Sequence, residues 1–249
     1  FDKIQLAVYY SDQNDNNKSF SCKYLSNQRC HIVDNVLKHV YLIDNVSLFE
    51  KPDNESNENE IKKNEIIKVP NVVKKFDFDP VPHIKKIIWE PDCIIEELGS
   101  PGFFSYYNLI EIEIPKLVKL IPPHLFDNCH FLTTVLFDKN SILEEIGEFS
   151  FANTRIEKVS LPKTVKIIHK SAFMNNSSLK EVDFYGKIIE DEAFYNTGIK
   201  TFTISNETKS IGNSVFQYCR SLTTINIDPK NSELSNIGSY AFAETSITR

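Results

Sequence analysis

The chain has 249 residues, enough to bury one large core or two modest ones, with 41% hydrophobic and 25% charged residues. A net charge of -6 argues against nucleic-acid binding, which needs a concentrated basic face. No run of about 18 apolar residues occurs, so no membrane-spanning helix is expected within this stretch.

Residues 1–49 come first and are rich in aromatic and β-branched side chains, as in "IQLAVYY" and "HVYLIDNVSLF". They are predicted to form strands, as an N-terminal cap or a small β-rich segment. Cys22, Cys30, His31 and His39 can be read as zinc ligands, but their spacing is not a C-x2-C type and adjacent Cys30 and His31 converge poorly on one ion. A Cys22–Cys30 disulfide or scattered surface side chains are the alternatives, and with Cys93, Cys129 and Cys219 the odd count leaves a thiol unpaired. Residues 50–65, containing "DNESNENEIKKNE", read as a polar acidic linker or loop.

From 66 to 249 the chain repeats. Phe103, Phe126, Phe151, Phe173, Phe194, Phe216 and Phe242 recur at steps of 23, 25, 22, 21, 22 and 26 residues. Five or six places after each comes Leu109, Leu132, Ile156, Leu179, Ile199, Leu222 or Ile247. The spacing L-x-x-h-x-h follows, with core pairs Ile112/Ile114, Val135/Phe137, Val159/Leu161, Val182/Phe184, Phe202/Ile204 and Ile225/Ile227. An earlier copy, "IKKIIWEPDCIIEELGSPGF" (84–103), makes the units clear from about residue 84, with Phe78 as a candidate anchor and "IIKVPNVVKKF" (66–76) as a degenerate unit. The frame breaks off at Arg249 and the chain opens without Met, so the array is expected to continue beyond 249.

Alternating apolar residues mark short strands with one buried face, and Pro115 and Pro162 end two of them. The "SAF", "EAF" and "YAF" segments are expected to carry the anchor ring inward on a single helical turn. The third place after the anchor holds Cys129, Thr154, Asn176, Thr197, Cys219 or Thr245, small polar side chains suited to backbone groups where the turn re-enters the strand. One unit alone buries too little to offset the ordering of its backbone, about 1–2 kcal/mol per residue. Stacked units share a continuous core. The expected fold class is an α/β repeat solenoid, mostly β and loop, with a parallel sheet of short strands and single helical turns.

"IGNSVFQYCRSLTTINI" (211–227) and "IGSYAFAETSI" (237–247) resemble the BspA-type leucine-rich repeat. Departures are Gly102, Leu125 and Val215 in place of Ala, and Cys in two units only. The resemblance implies a non-catalytic solenoid that binds proteins, cell-surface or extracellular and often adhesive. The alternatives are an intracellular scaffold or adaptor, and an enzyme whose catalytic domain lies outside these residues.

No catalytic residue, cofactor site or metal site is nominated. Cys129 and Cys219 hold one repeat position, which favours a structural role over a nucleophilic one, and Glu96/Glu97 and Glu144/Glu145 recur with the frame as a solvated loop feature. Sequons start at Asn17, Asn45, Asn54, Asn175, Asn176 and Asn206, and Asn176 is expected to stay unmodified because its turn encloses it. The candidate binding face consists of the outward strand positions Lys86/Ile88, Glu111/Glu113, Thr134/Leu136, Lys158/Ser160, Glu181/Asp183, Thr201/Thr203 and Thr224/Asn226. Polar side chains and carboxylates dominate there, so the face is either plain solvated sheet or a site for a basic or polar protein partner.

Overall fold

Alternate burial along each strand and a change of direction every few residues wind the chain into a parallel solenoid. The computed structural model describes residues 84–99, 108–227 and 232–248, with Val69, Asn71, Lys74, Lys75 and Phe76, and the backbone alone of the strands before Val69. Phe78 and Phe103, the ends of the chain and the side chains of Cys22, Cys30, His31 and His39 lie outside the described residues.

The first strands are β1 (Val8–Tyr9), β2 (Ser21–Cys22), β3 (Gln28–Val33), β4 (Val36–Leu42), β5 (Ile66–Val69) and β6 (Lys75–Phe76). Next come β7 (Lys86–Trp89), β8 (Glu97–Leu98), β9 (Glu111–Ile114), β10 (Leu120–Ile121), β11 (Thr134–Phe137), β12 (Glu145–Ile146) and β13 (Lys158–Ser160). The series closes with β14 (Ile167–Ile168), β15 (Glu181–Asp183), β16 (Ile188–Ile189), β17 (Thr201–Ile204), β18 (Ser210–Ile211), β19 (Thr224–Ile227) and β20 (Asn236–Ile237).

Odd-numbered strands from β5 onward form one side of the solenoid. Its ladder runs β11-β9-β7-β5 and then continues as separate pairs β13-β15 and β17-β19, so the face is not one unbroken sheet. Even-numbered strands form a lateral ladder that is continuous from β10 to β20, order β10-β12-β14-β16-β18-β20, all parallel. At the other end β3 and β4 form an antiparallel hairpin, with His31 opposite His39, and β4 pairs in parallel with β6, which pairs with β8.

No helix occurs among the described residues. The expected helical turn is replaced by a corner with two left-handed residues, two places before and two places after each anchor. They are His124/Asn128, Phe149/Asn153, Ser171/Asn175, Glu192/Asn196, Ser214/Tyr218 and Tyr240/Glu244, with φ between 52° and 62°. This conformation turns alternate N–H groups along the solenoid axis. Phe149, Phe151 and Asn153 donate to the carbonyls of Lys170, Ala172 and Met174 in the next coil, at 3.1, 2.8 and 2.9 Å. A helix would have kept those bonds within the coil; here they join coils. Asn favours this conformation among non-glycine residues, and it recurs at 128, 153, 175 and 196.

The anchor rings of Phe126, Phe151, Phe173, Phe194, Phe216 and Phe242 stack in a single file, centroids 5.1–5.5 Å apart and planes within 12°. Gly147 sits where the corner meets the preceding coil: a Cβ there would lie 2.3 Å from the Ile121 carbonyl oxygen. Shelter comes from the neighbouring coil. Ile227 and Ile237 are 55% and 50% exposed in the last described coil, against 1% and 0% for their counterparts Ile204 and Ile211.

One core position breaks the frame. Ser150 stands where Ala172, Ala193 and Ala241 stand in other coils, and its buried hydroxyl has no partner. Removing a buried, unpaired hydroxyl favours folding. Ser150→Ala is expected to raise stability by about 1 kcal/mol, read as a higher urea midpoint; a lower midpoint would mean that the hydroxyl is bonded after all.

Candidate binding surface

The outward positions of the odd strands do share one face, and their side chains mostly engage each other. Register places Lys158 beside Glu181 and Ser160 beside Asp183. Lys158 Nζ lies 2.6 Å from Glu181 Oε2, Ser160 Oγ donates to Asp183 Oδ2 at 3.0 Å, and Lys86 Nζ lies 2.7 Å from Glu111 Oε1. The Lys158 bond and charge hold the Glu181 carboxyl below its ordinary value and raise the Lys158 ammonium in turn. Glu113 is exposed, and Leu136, 47% exposed, is the most exposed apolar side chain among these outward strand positions. Lys86, Ile88, Glu111 and Thr134 are only partly exposed. Thr201, Thr203, Thr224 and Asn226 make an uncharged hydroxyl and amide patch on β17 and β19. Where β11 and β13 fail to pair, a shallow cleft opens, lined by Thr134, Leu136, Phe137, Glu157, Lys158 and Ser160. Four carboxylates against two lysines leave this face weakly acidic, with two of the four already tied to those lysines.

Of the paired glutamates, Glu96 and Glu144 lie in the loop as expected, and Glu97 and Glu145 begin strands. Glu97 and Glu145 belong to the lateral ladder, because the residue before its buried Leu or Ile faces the same row in the next coil. There they meet cations: Glu97 with Lys75 at 3.4 Å, Glu144 with Lys166 at 2.7 Å, and Glu145 with His169 at 2.8 Å. His169 also faces Glu190, Nδ1 to Oε2 3.2 Å, so one imidazole bridges three coils. Burial opposes its charged form, but the hydrogen bonds and charges of Glu145 and Glu190 prevail and the pKa is raised.

A histidine pKa raised in the folded state means that the native protein holds the proton more tightly. The stabilisation is complete below the unfolded value, about 6.5, and is lost as pH rises through the folded value. Unfolding midpoints are therefore expected to fall as the solution passes from mildly acidic to alkaline, and His169→Gln to flatten that slope. An unchanged slope in the variant would remove this imidazole as its cause.

A second ladder went unremarked in the sequence. Asn153 donates its side-chain amide to Asp127, Asn175 to Asn153 and Asn196 to Asn175, at 3.1, 3.0 and 3.0 Å. Its signal was the recurrence of Asn two places after the anchor. The third place behaves as expected. Asn176 is fully buried and donates to the carbonyls of Phe151 and Phe173, and Cys219 Sγ lies 3.1 Å from Thr197 Oγ1 and donates to the Phe194 carbonyl. Burial pushes the Cys129 thiol up to about 12 and raises that of Cys219. Asn176 is thus enclosed, as its sequon reading required, and Asn175 is committed to the exposed ladder.

A family model for the BspA type leucine rich repeat region matches residues 96–189 and 187–249, with six copies. No curated protein matches the chain. Among solved structures, the pneumococcal vaccine antigen PcpA is 26% identical with a TM-score of 0.53 over 72% of this chain and 48% of that one, so the chain spans about half the length of that antigen. A leucine-rich repeat protein from Bacteroides ovatus is 16% identical with a TM-score of 0.46, covering 98% and 80% of the two chains. With its coils stacked in register and more than half its residues matched by that model, the chain belongs to the BspA type leucine-rich repeat family.

Proposed function

We propose that the chain is a non-catalytic recognition module that binds a protein ligand at a cell surface through the outward face of its odd strands. The observation that carries this is the face itself: polar side chains from seven strands, β7 to β19, held on a rigid stack and exposed or partly exposed throughout. The antigen from pneumococcus to which the repeats are similar supports the surface setting. In the same reading residues 1–49 cap the first coil through the hairpin β3–β4, residues 50–65 connect, and 66–249 form the solenoid.

A face of this kind gains affinity by repetition along the coils rather than from one deep pocket. A photo-crosslinker placed at Thr203 on the face, and another at Lys187 on the lateral ladder, tests it with extracellular-matrix extract. Adducts are expected at Thr203, competed away by excess unmodified protein, with few at Lys187. Equal labelling at both positions, or none, would reject the face as the site. Glu181→Gln with Asp183→Asn should weaken that capture while leaving the melting temperature nearly unchanged, since both carboxylates are solvent-exposed.

A further inference from the structure

A different surface of the same solenoid carries a charge pattern opposite to that of the protein as a whole. Arg occurs four times in the sequence, and both arginines with described side chains, Arg155 and Arg220, lie four places after an anchor phenylalanine. That place is the corner where the turn enters a face strand. Neither guanidinium meets a carboxylate among the described residues; the ion pairs there are made by Lys and His. Each lies near an aromatic ring instead, Arg155 at 5.8 Å from the Phe131 centroid and Arg220 at 5.9 Å from that of Tyr218.

The two coils between them supply Lys180 and Lys200 just before strands β15 and β17, on the same corner and both exposed. Their backbones stack directly, with the Lys200 N–H donating to the Lys180 carbonyl at 3.3 Å. Four successive coils thus each contribute a cation to this corner, the lysines in one row with Glu157 and Thr223 and the arginines two or three places before that row, with Glu157 and Glu181 the neighbouring carboxylates along the chain. Ser177 and Gly198 fill the corner between the arginines, leaving a low saddle. On the opposite edge, by contrast, Lys166 and Lys209 are tied to Glu144 and Glu233 at 2.7 and 3.1 Å.

We propose that this ridge, Arg155–Lys180–Lys200–Arg220, binds an extended acidic protein segment laid along the solenoid axis. Charge complementarity selects the partner, and dimensions set its pattern. Parallel coils repeat about every 4.8 Å, so the arginines stand roughly 14 Å apart over three steps. An extended chain rises about 3.3 Å per residue with alternate side chains on one side, so carboxylates at i, i+2 and i+4 span about 13 Å. Arg suits the ends, because its planar fork pairs with a carboxylate bidentately while the ring beneath keeps it weakly hydrated. Phe131 near Arg155, and Tyr218 near Arg220 with Tyr195 packed against it at 5.4 Å, supply apolar contact at the two ends.

The probe is a short fluorescein-labelled peptide of alternating Glu and Thr, titrated with the protein at low and physiological salt. Binding is expected, weakening with salt, and falling about tenfold in Arg155→Gln/Arg220→Gln and in Lys180→Gln/Lys200→Gln. Lys166→Gln/Lys187→Gln on the opposite edge should leave it unchanged. No binding, equal loss in all three double variants, or preferential capture of a sulfated heparin fragment by the same four residues would each overturn the proposal. Failure here leaves the strand-face reading intact, since Thr203 crosslinking is scored separately; failure there leaves the ridge standing.

Discussion

Phe173→Ala lowers stability by about 3–5 kcal/mol, the range for deleting a fully buried aromatic ring. The ring is completely enclosed and stacked between Phe151 and Phe194, at 5.3 and 5.4 Å. Its loss removes two ring contacts, each worth about 0.5–1.5 kcal/mol beyond the area buried, and leaves a cavity that both neighbouring coils line. In a solenoid the damage is set by the neighbours a coil has, because stability is a sum of coil terms and interface terms. Phe242, only partly buried and stacked on Phe216 alone among the described rings, gives the internal comparison. Phe242→Ala should cost about half as much. Urea denaturation followed by far-ultraviolet circular dichroism reads both. If the two variants lose equal stability, or Phe173→Ala loses under about 1 kcal/mol, the file of rings is not what couples the coils.

That file was legible because one letter, Phe, returns at nearly constant steps, and a residue that must touch its own copy in the next coil has little freedom to change. The buried third-place group was legible for a related reason: Thr, Asn and Cys differ in shape but can all donate inward. The corner was not. "SAF" and "EAF" look helical by composition, and what decides otherwise is the direction of the N–H groups of residues such as Phe149 and Asn153, which no side chain displays. The bridge of Glu145, His169 and Glu190 was equally hidden. Its members come from three coils and share no letter; only the register of β12, β14 and β16 brings them together. The alternation of outward and buried positions along the face strands is legible from period alone, yet the mutual pairing of the outward ones, Lys158 with Glu181 above all, needed the register of β13 against β15. Pairing also alters what the face offers a ligand, since a carboxylate already bonded to Lys must be released before it can engage a basic partner. The ridge cations are not legible in the sequence because Arg155 and Lys180 sit at different distances from their anchors, and only the stacking of Lys180 on Glu157, two places after Arg155, brings them to one corner.

Asn176 is the second position where a single change should be felt throughout the stack. Its amide nitrogen donates to the carbonyls of Phe151 and Phe173 at 2.7 and 2.9 Å, and its oxygen accepts from the Thr154 hydroxyl. Asn176→Ala strands the buried Phe173 carbonyl, which costs about 1–3 kcal/mol when left unpaired, and leaves the Thr154 hydroxyl to the Phe151 carbonyl, 3.2 Å away, alone. With the other lost bonds and the space the amide leaves, a loss of about 2–4 kcal/mol is expected. Thr occupies this place in other coils, and Thr245 donates to the Phe242 carbonyl at 2.8 Å in the way Asn176 donates to Phe173. Asn176→Thr should therefore restore one bond and cost roughly half as much. Asn176→Asp separates shape from hydrogen-bond polarity. An ionised carboxylate would face two carbonyl oxygens, so the group must hold a proton in the folded protein, and its pKa rises above the unfolded value of about 3.9. The native state then binds more protons than the unfolded one, so the variant's stability is greatest in acid and is lost as pH rises through the raised value. Urea midpoints for the three variants between about pH 4 and pH 7 decide the matter. The Asp variant should approach the Thr variant at the acid end and fall toward or below the Ala variant at neutrality. A pH-independent Asp variant, or a Thr variant as unstable as Ala, would mean that this buried donor does not hold the coil carbonyls in place.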